Sequence, residues 1–245
     1  MRAFLEKSDI DYLDDFVYSS KYPLLDRGID IVDFNGTNLN NLLKHNPTKE
    51  DILIGSVQAC EEFFKFINIT PPKYLGYPDS IKSYLKRNIS DCKFSDLTYD
   101  RLPVFIKPKN EVKLFTGMLI PDSKSLDFVT TYYKEINSNT EIYTSEPIEI
   151  LSEYRCFVHK SKLMGIQYYL GDFTIFPDVS VINSIITDYI DSPISYTLDI
   201  GVNNDGTFLI EVNDMWAIGS YGFDNKQYVQ MTIDRFREIV TTYKL

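Results

Sequence analysis

From Tyr196 to Asn213 apolar and polar positions alternate on either side of a polar break. The runs are Tyr196-Thr-Leu-Asp-Ile-Gly-Val202, Asn203-Asn-Asp-Gly206 and Thr207-Phe-Leu-Ile-Glu-Val-Asn213. Alternation around a turn signal predicts two antiparallel strands. Register decides which side chains share a face, because successive side chains point to opposite sides. A two-residue Asp205-Gly206 turn pairs Asn204 with Thr207 and sends Asp199 and Glu211 to opposite faces. A three-residue loop, Asn204 to Gly206, with Gly206 left-handed in a bulge, pairs Asn203 with Thr207. Leu198 then faces Val212, Ile200 faces Ile210 and Val202 faces Phe208, which gathers one apolar face. The other face carries Asp199 opposite Glu211, with Asn213 two residues on. Hydrophobicity prefers this second register. Two carboxylates and an amide with no nearby Cys or His suit a hard cation, Mg²⁺ first, which completes its shell with water and phosphate oxygens. A solvated polar face on a half-buried hairpin would carry the same residues.

The rest of the chain reads as a mixed α/β pattern. Gly28 to Phe34 alternates as a strand, and Asp51 to Gly55 is a short buried-strand pattern. Ser56 is a good N-cap for a helix whose Val57, Cys60, Phe64 and Ile67 fall on one face. Such a strand–turn–helix junction can receive an anion or a carboxylate substrate, although most junctions of this kind only connect. Thr70-Pro-Pro72 and Tyr77-Pro78 mark a boundary, and a helix is expected over Asp79 to Arg87. Val104 to Pro108 is a strand that delivers Lys107. A polar loop with Lys109 and Lys113 follows, and a strand resumes over Leu114 to Ile120. Lysines on a strand–loop–strand can lie over polyphosphate as point charges; there is no GxxxxGK[ST] and no GxGxxG. Further on come a helix over Ser125 to Ile136, a strand over Glu141 to Ser145 and a kink at Glu146-Pro147-Ile148. A strand over Glu149 to Val158 then carries Glu153, Arg155 and Phe157 on one face. His159 to Lys162 is read as an exposed hairpin turn, Leu163 to Leu170 as a strand, Val181 to Ile190 as a helix, and Asn225 to Tyr243 as the final helix. With no Ser or Cys nucleophile paired to His159, and His45 in a polar loop, a catalytic triad is not expected.

Composition narrows the class. The chain has 245 residues, 44% hydrophobic and 24% charged, and a net charge of −10. That is an ordinary globular composition. Its acidic balance disfavours nucleic acid and anionic membranes as partners. Cys60, Cys92 and Cys156 are widely spaced without metal-site spacing, which suggests reduced thiols in a cytoplasmic compartment. Neither a signal core nor a run long enough to span a bilayer is visible.

Four features stand in one order: a strand-borne lysine with a loop, a Glu-Pro-Ile kink, Glu-x-Arg on a strand, and the Asp…Glu-x-Asn hairpin. The segments are Phe105-Ile-Lys-Pro-Lys, Leu114-Phe-Thr-Gly117, Ser145-Glu-Pro-Ile148, Ser152-Glu-Tyr-Arg-Cys-Phe-Val158, Tyr196-Thr-Leu-Asp-Ile-Gly201 and Leu209-Ile-Glu-Val-Asn-Asp214. This order resembles the ATP-grasp superfamily, and within it the clade named for two arginines and a lysine. The resemblance implies an α+β (α/β) chain, with a small N-terminal α/β domain at residues 1–70 and an ATP-grasp domain at residues 71–245.

It also implies roles. Lys107, with Lys113 nearby, would contact the ATP phosphates. Glu146, Pro147 and Ile148 would read adenine largely through backbone groups, and Glu153 would sit near the ribose. Asp199, Glu211 and Asn213 would hold Mg²⁺. Arg155 would stabilise the transferring phosphoryl group, and Arg87 is the candidate second arginine of the clade. By position, Ser56, Arg87, Trp216, Ser220 and Tyr221 would border the acceptor pocket. Many such ligases carry a further basic residue on the strand after Glu-x-Arg, where this chain has Gln167, Tyr168 and Tyr169. The implied reaction is ATP-dependent joining of a carboxylate to an amine through an acyl-phosphate, on a peptide or amino-acid-like substrate. A non-catalytic ATP-binding regulatory module and a phosphotransferase are the alternatives.

Overall fold

The computed structural model describes residues 1–7, 15–110 and 114–242. Two compact units emerge, residues 85–150 forming one and residues 1–84 with 151–245 the other.

The larger unit begins with a parallel sheet of order β2-β1-β3, made by β1 (Arg2–Lys7), β2 (Asp30–Asn35) and β3 (Ile52–Ile54). Helices α1 (Asp15–Leu25), α2 (Asn40–Leu43) and α3 (Val57–Phe66) connect and cover it. β1 is the central strand, and Ala3, Phe4 and Leu5 are fully buried. A strand covered on both faces shows no alternation, so the hydrophobic pattern did not single it out. α3 starts where Ser56 predicts, its hydroxyl accepting from Ala59 N at 3.2 Å. Phe63 and Phe64 of α3 pack on Phe236, and Phe64 also meets Trp216 edge-on at 5.6 Å.

The second sheet of this unit is antiparallel, in the order β11-β10-β8-β9. It comprises β8 (Ser152–His159), β9 (Lys162–Gly171), β10 (Ser195–Asn203) and β11 (Gly206–Asp214), with α5 (Val179–Asp188) and the long α6 (Asn225–Thr242) beside it. β8 starts later than expected: residues 149–151 are not strand, although Leu151 donates its N–H to Val202 O and accepts from Asp172 N. The β8–β9 turn carries Lys160 and Ser161 at φ 50° and 57°, the paired positive φ that a tight hairpin demands.

His159 is not an exposed turn residue. Its Nδ1 lies 2.8 Å from Ser195 Oγ and its Nε2 lies 3.3 Å from Asp234 Oδ2. The β8–β10 register sets His159 opposite Ser195, a pairing that only the folded sheet creates. Ser195 is fully buried, so the trio ties α6 to the sheet and exposes no nucleophile.

The β10–β11 register corrects the turn while keeping the site. Asn203 pairs with Gly206, so the loop has two residues, Asn204 and Asp205, with Gly206 at φ 98°. Ile200 therefore faces Leu209, not Ile210, and Val202 faces Thr207, not Phe208. The extra residue sits inside β11: the register shifts at Ile210, and beyond it Asp199 faces Glu211 and Leu198 faces Val212. One inserted residue flips every following side chain, so a mid-strand bulge restores the face that the turn would have lost.

The smaller unit is an antiparallel sheet of order β4-β7-β5-β6 with one helix. Its elements are β4 (Ile89–Lys93), β5 (Val104–Pro108), β6 (Met118–Ile120), α4 (Ser123–Tyr132) and β7 (Glu141–Ser145). Ile106, Ile120, Leu126, Val129 and Ile142 form its core. The expected helix at 79–87 is a 3₁₀ turn, Asp79–Leu85, in which Ile81 N bonds Pro78 O, three residues back. The resumed strand over 114–120 shrinks to β6. Cys60, Cys92 and Cys156 form no disulfide, and among the described residues no helix is long and apolar enough to cross a membrane.

Candidate active site

The register of three adjacent strands builds the site. β8 sets Arg155 directly opposite Asp199 on β10, and β11 sets Glu211 opposite Asp199 from the other side. All three side chains therefore rise from one face. Arg155 and Asp199 are 7% and 3% exposed, which takes the pair out of the weak, screened regime of surface ion pairs. Arg155 Nε donates to Asp199 Oδ1 at 2.8 Å and Nη2 to Oδ2 at 2.8 Å, a bidentate fork. Burial works against the guanidinium's charge, but Asp199 outweighs it and holds Arg155 protonated. Asn213 Nδ2 reaches Asp199 Oδ2 at 3.0 Å and Glu211 Oε1 at 3.3 Å, so oxygens of the two carboxylates converge on a common point.

Aromatic rings and a loop complete the surroundings of Arg155. The guanidinium carbon lies 4.8 Å from the Tyr221 ring centre and 5.8 Å from that of Tyr169, and these two rings stack at 5.2 Å. A guanidinium gains from such faces when water is excluded. Arg155 Nη1 also meets Gly219 O at 3.4 Å. Tyr221 and Gly222 both take positive φ, 47° and 79°, so the loop after β11 turns sharply to lay the ring over Arg155. Tyr169 donates its hydroxyl to Glu153 Oε2 at 2.7 Å, and burial pushes its pKa far up, with the charges of Asp199 and Glu153 adding. Tyr169 lies on β9, the strand on which the sequence carries Gln167, Tyr168 and Tyr169 and no basic residue between them, and it serves here as a neutral platform beside Arg155.

Two contacts were invisible to sequence reasoning. Tyr74 donates to Glu211 Oε2 at 2.5 Å. Its segment is clipped to the edge of β11 by Gly76, which exchanges backbone bonds with Val212 at 3.1 and 2.9 Å. Only the glycine and the prolines around Tyr74 hinted at a turn, and nothing tied it to a residue 137 positions away. The second is Glu6, at the end of β1. Its carboxylate accepts from Ser56 N and, at 3.1 Å, from Ser56 Oγ. Gly36 and Gly55 leave room for that carboxylate, since a Cβ at either would overlap it. The start of α3 is therefore occupied by the chain's own anion, which displaces the expectation of an anion-binding junction there.

Lys107, Glu146, Pro147, Ile148 and Arg87 belong to the smaller unit. Lys107 on β5 is half-buried and faces Tyr143 of β7. Glu146, Pro147 and Ile148 follow β7 directly. The Glu146 side chain accepts from Asn88 Nδ2 and N, both at 3.0 Å, and the Asn88 side chain leads in lowering its pKa. Arg87 donates to Leu85 O at 3.2 Å. Lys113 lies outside the described residues. Trp216 and Ser220 are buried in and beside the loop that carries Gly219 and Tyr221.

The fold has counterparts among known structures. D-alanine–D-alanine ligase from Bacillus anthracis complexed with ATP aligns at 13% identity and a TM-score of 0.58, over 98% of this chain and 99% of that one. N5-carboxyaminoimidazole synthetase from Staphylococcus aureus aligns at 10% identity and a TM-score of 0.60, over 95% and 77%. L-amino acid ligase from Bacillus licheniformis aligns at 11% identity and a TM-score of 0.55, over 99% and 74%. At such identities the likeness is one of fold. No curated protein sequence matches. Residues 84–231 match the ATP-grasp domain of R2K clade family 2, and with more than half its length inside that match the chain belongs to the ATP-grasp superfamily, in the R2K clade.

Proposed function

We propose that this protein is an ATP-dependent ligase that joins a carboxylate to an amine through an acyl-phosphate, with a peptide or amino-acid-like substrate. The observation that carries the reading is the convergence of Asp199, Glu211 and Asn213 beside the buried Arg155 fork, in a chain of ATP-grasp family. Three of the structures that share the fold are named as a D-alanine–D-alanine ligase, an L-amino acid ligase and an N5-carboxyaminoimidazole synthetase.

The donor set fits Mg²⁺. It is all oxygen, it offers two carboxylates, and their oxygens converge closely enough to share one Asn213 amide. Among the described residues no third His, Cys, Asp or Glu joins such a cluster. Carboxylate and amide oxygens suit a hard ion such as Mg²⁺, which keeps much of its shell for water and phosphate. Bound there, Mg²⁺ would neutralise phosphate charge and orient the γ-phosphoryl group.

The chain's own groups would do the rest by positioning and charge. Lys107 would neutralise phosphate charge, and Lys113 is assigned the same task. The backbone at Glu146, Pro147 and Ile148 would read the adenine edge, while Glu153 would hold the ribose through an orientation fixed by Tyr169. A substrate carboxylate oxygen attacks the γ-phosphorus as its bond to the ADP oxygen breaks. Arg155 would stabilise the charge that builds on the transferring group. An amine then attacks the acyl carbon, phosphate leaves, and the amine proton passes to solvent. Arg87 remains the candidate second arginine. The soluble small-molecule chemistry fits a cytoplasmic enzyme.

The test is a thermal shift with ATP, ADP, AMP and GTP, each with and without Mg²⁺, followed by ADP release against panels of carboxylates and amines. A Mg²⁺-dependent rise with ATP and substrate-dependent ADP release are expected, since a ligand of the folded state alone stabilises it. Stabilisation by ATP with no ADP release under any pairing would move the protein to the regulatory-module reading.

A further inference from the structure

All four carboxylate oxygens of the Asp199–Glu211 pair already accept a hydrogen bond from the chain. Arg155 Nε and Nη2 take the two Asp199 oxygens at 2.8 Å each. Asn213 Nδ2 spans Asp199 Oδ2 and Glu211 Oε1 at 3.0 and 3.3 Å. The Tyr74 hydroxyl holds Glu211 Oε2 at 2.5 Å. Hydrogen-bond donors, one of them a cation, stand where a metal would.

We infer that Arg155 and Tyr74 are a built-in stand-in for the metal. They keep Asp199 and Glu211 closed to free divalent cation until a polyphosphate arrives to receive the displaced guanidinium. This rests on the reading of the site as one for Mg²⁺ and ATP.

Two arguments carry it. The first is charge. A divalent ion on Asp199 would lie a few ångströms from a guanidinium that cannot lose its proton, and like-charge repulsion is strongest where water is excluded. Arg155 must therefore move before the metal can bind. The second is where it can go. Among the described residues its hydrogen bonds reach one carboxylate, that of Asp199, and one carbonyl, Gly219 O at 3.4 Å. The rings of Tyr169 and Tyr221 support the guanidinium but do not neutralise it. A buried cation that leaves its anion needs another, and the triphosphate supplies one. Metal and nucleotide entry are thereby coupled, and by linkage each raises the affinity for the other by the same factor. Tyr74 has the smaller share. Carried on the turn at Gly76, which pairs with Val212, the residue after Glu211, it caps the second carboxylate without adding charge.

The test titrates Mn²⁺ alone, with no nucleotide, into the wild type, Tyr74→Phe and Arg155→Gln, by calorimetry and by the electron paramagnetic resonance signal of free Mn²⁺. Weak binding is expected in the wild type and about tenfold tighter binding in Tyr74→Phe, the size of one hydrogen bond to a charged group. A larger gain is expected in Arg155→Gln. The titrations are repeated with a non-hydrolysable ATP analogue, where the wild type should gain more metal affinity than Arg155→Gln. Should Arg155→Gln not fold, Tyr74→Phe decides alone. Wild-type Mn²⁺ affinity in nucleotide-free Tyr74→Phe, with Mn²⁺ still bound in the presence of the analogue, overturns the stand-in and leaves the ATP site standing. No Mn²⁺ in any protein under either condition overturns both.

Discussion

Arg155 and Asp199 face each other across β8 and β10 and share two hydrogen bonds of 2.8 Å in a buried setting. The carboxylate proposed to bind metal is thus also the counter-ion of a buried cation, so its removal affects stability as well as chemistry.

Asp199→Ala and Glu211→Gln should both abolish Mg·ATP turnover, yet differ in the fold. Removing one partner of a buried pair costs about 3–5 kcal/mol. Glu211→Gln keeps the shape and an acceptor for Tyr74, and should cost about 1 kcal/mol. Urea denaturation beside an ADP-release assay checks this; equal stability of the two variants would contradict the role of Asp199 as a counter-ion.

Asp214 and Arg235 form a second buried fork, at 2.7 and 2.5 Å, which fastens the end of β11 to α6. Arg235→Met alone should cost about 3–5 kcal/mol, and the double variant Asp214→Leu/Arg235→Met markedly less, since no fully buried charge is then stranded and Glu238, the other partner of Arg235, is partly exposed to water. A double-mutant cycle in urea measures the difference.

At Gly171 the backbone has φ 90°, and an added Cβ would lie 2.2 Å from Leu151 O. The obstacle is backbone and cannot rotate away. Gly171→Ala should destabilise by about 2 kcal/mol or more, combining left-handed strain with the clash. Gly28→Ala, with nothing within 4 Å of the new Cβ, should suffer only the strain. Their melting temperatures separate the two effects.

Asp51 gives the protein an acid dependence. Burial alone would raise its carboxyl, but the Arg2 side chain, Arg2 N and Thr48 outweigh burial and hold it at about 2. With the folded pKa below the unfolded one, the unfolded chain binds more protons between the two, so stability falls as pH drops. The contribution is complete above about pH 4 and fades towards pH 2. The stability gap between wild type and Asp51→Asn should therefore be widest near pH 6 and close on acidification. A gap independent of pH would contradict the assignment.

Hydrophobic periodicity determined the strands that carry Lys107, Arg155, Asp199 and Glu211, the helix after Ser56 and the long final helix, because apolar and polar residues recur there at strand or helix spacing, even though β8 and β10 are buried on both faces. The ordered motifs located the family for the same reason: spacing along a strand is a local property. The alternation also predicted that Asp199 and Glu211 share a face, although it attributed this to the turn. The bulge at Ile210 does it instead, and no local pattern marks a bulge in a strand that is apolar on both sides of it. Tertiary structure alone decided the remainder. β1 was hidden because both its faces are buried. His159 found Ser195 and Asp234 only across the sheet and α6, Glu6 claimed the start of α3, and Tyr74 reached Glu211 from far along the chain. These are pairings between polar groups with no periodicity to betray them, fixed by which strands lie side by side and which buried charges must be answered.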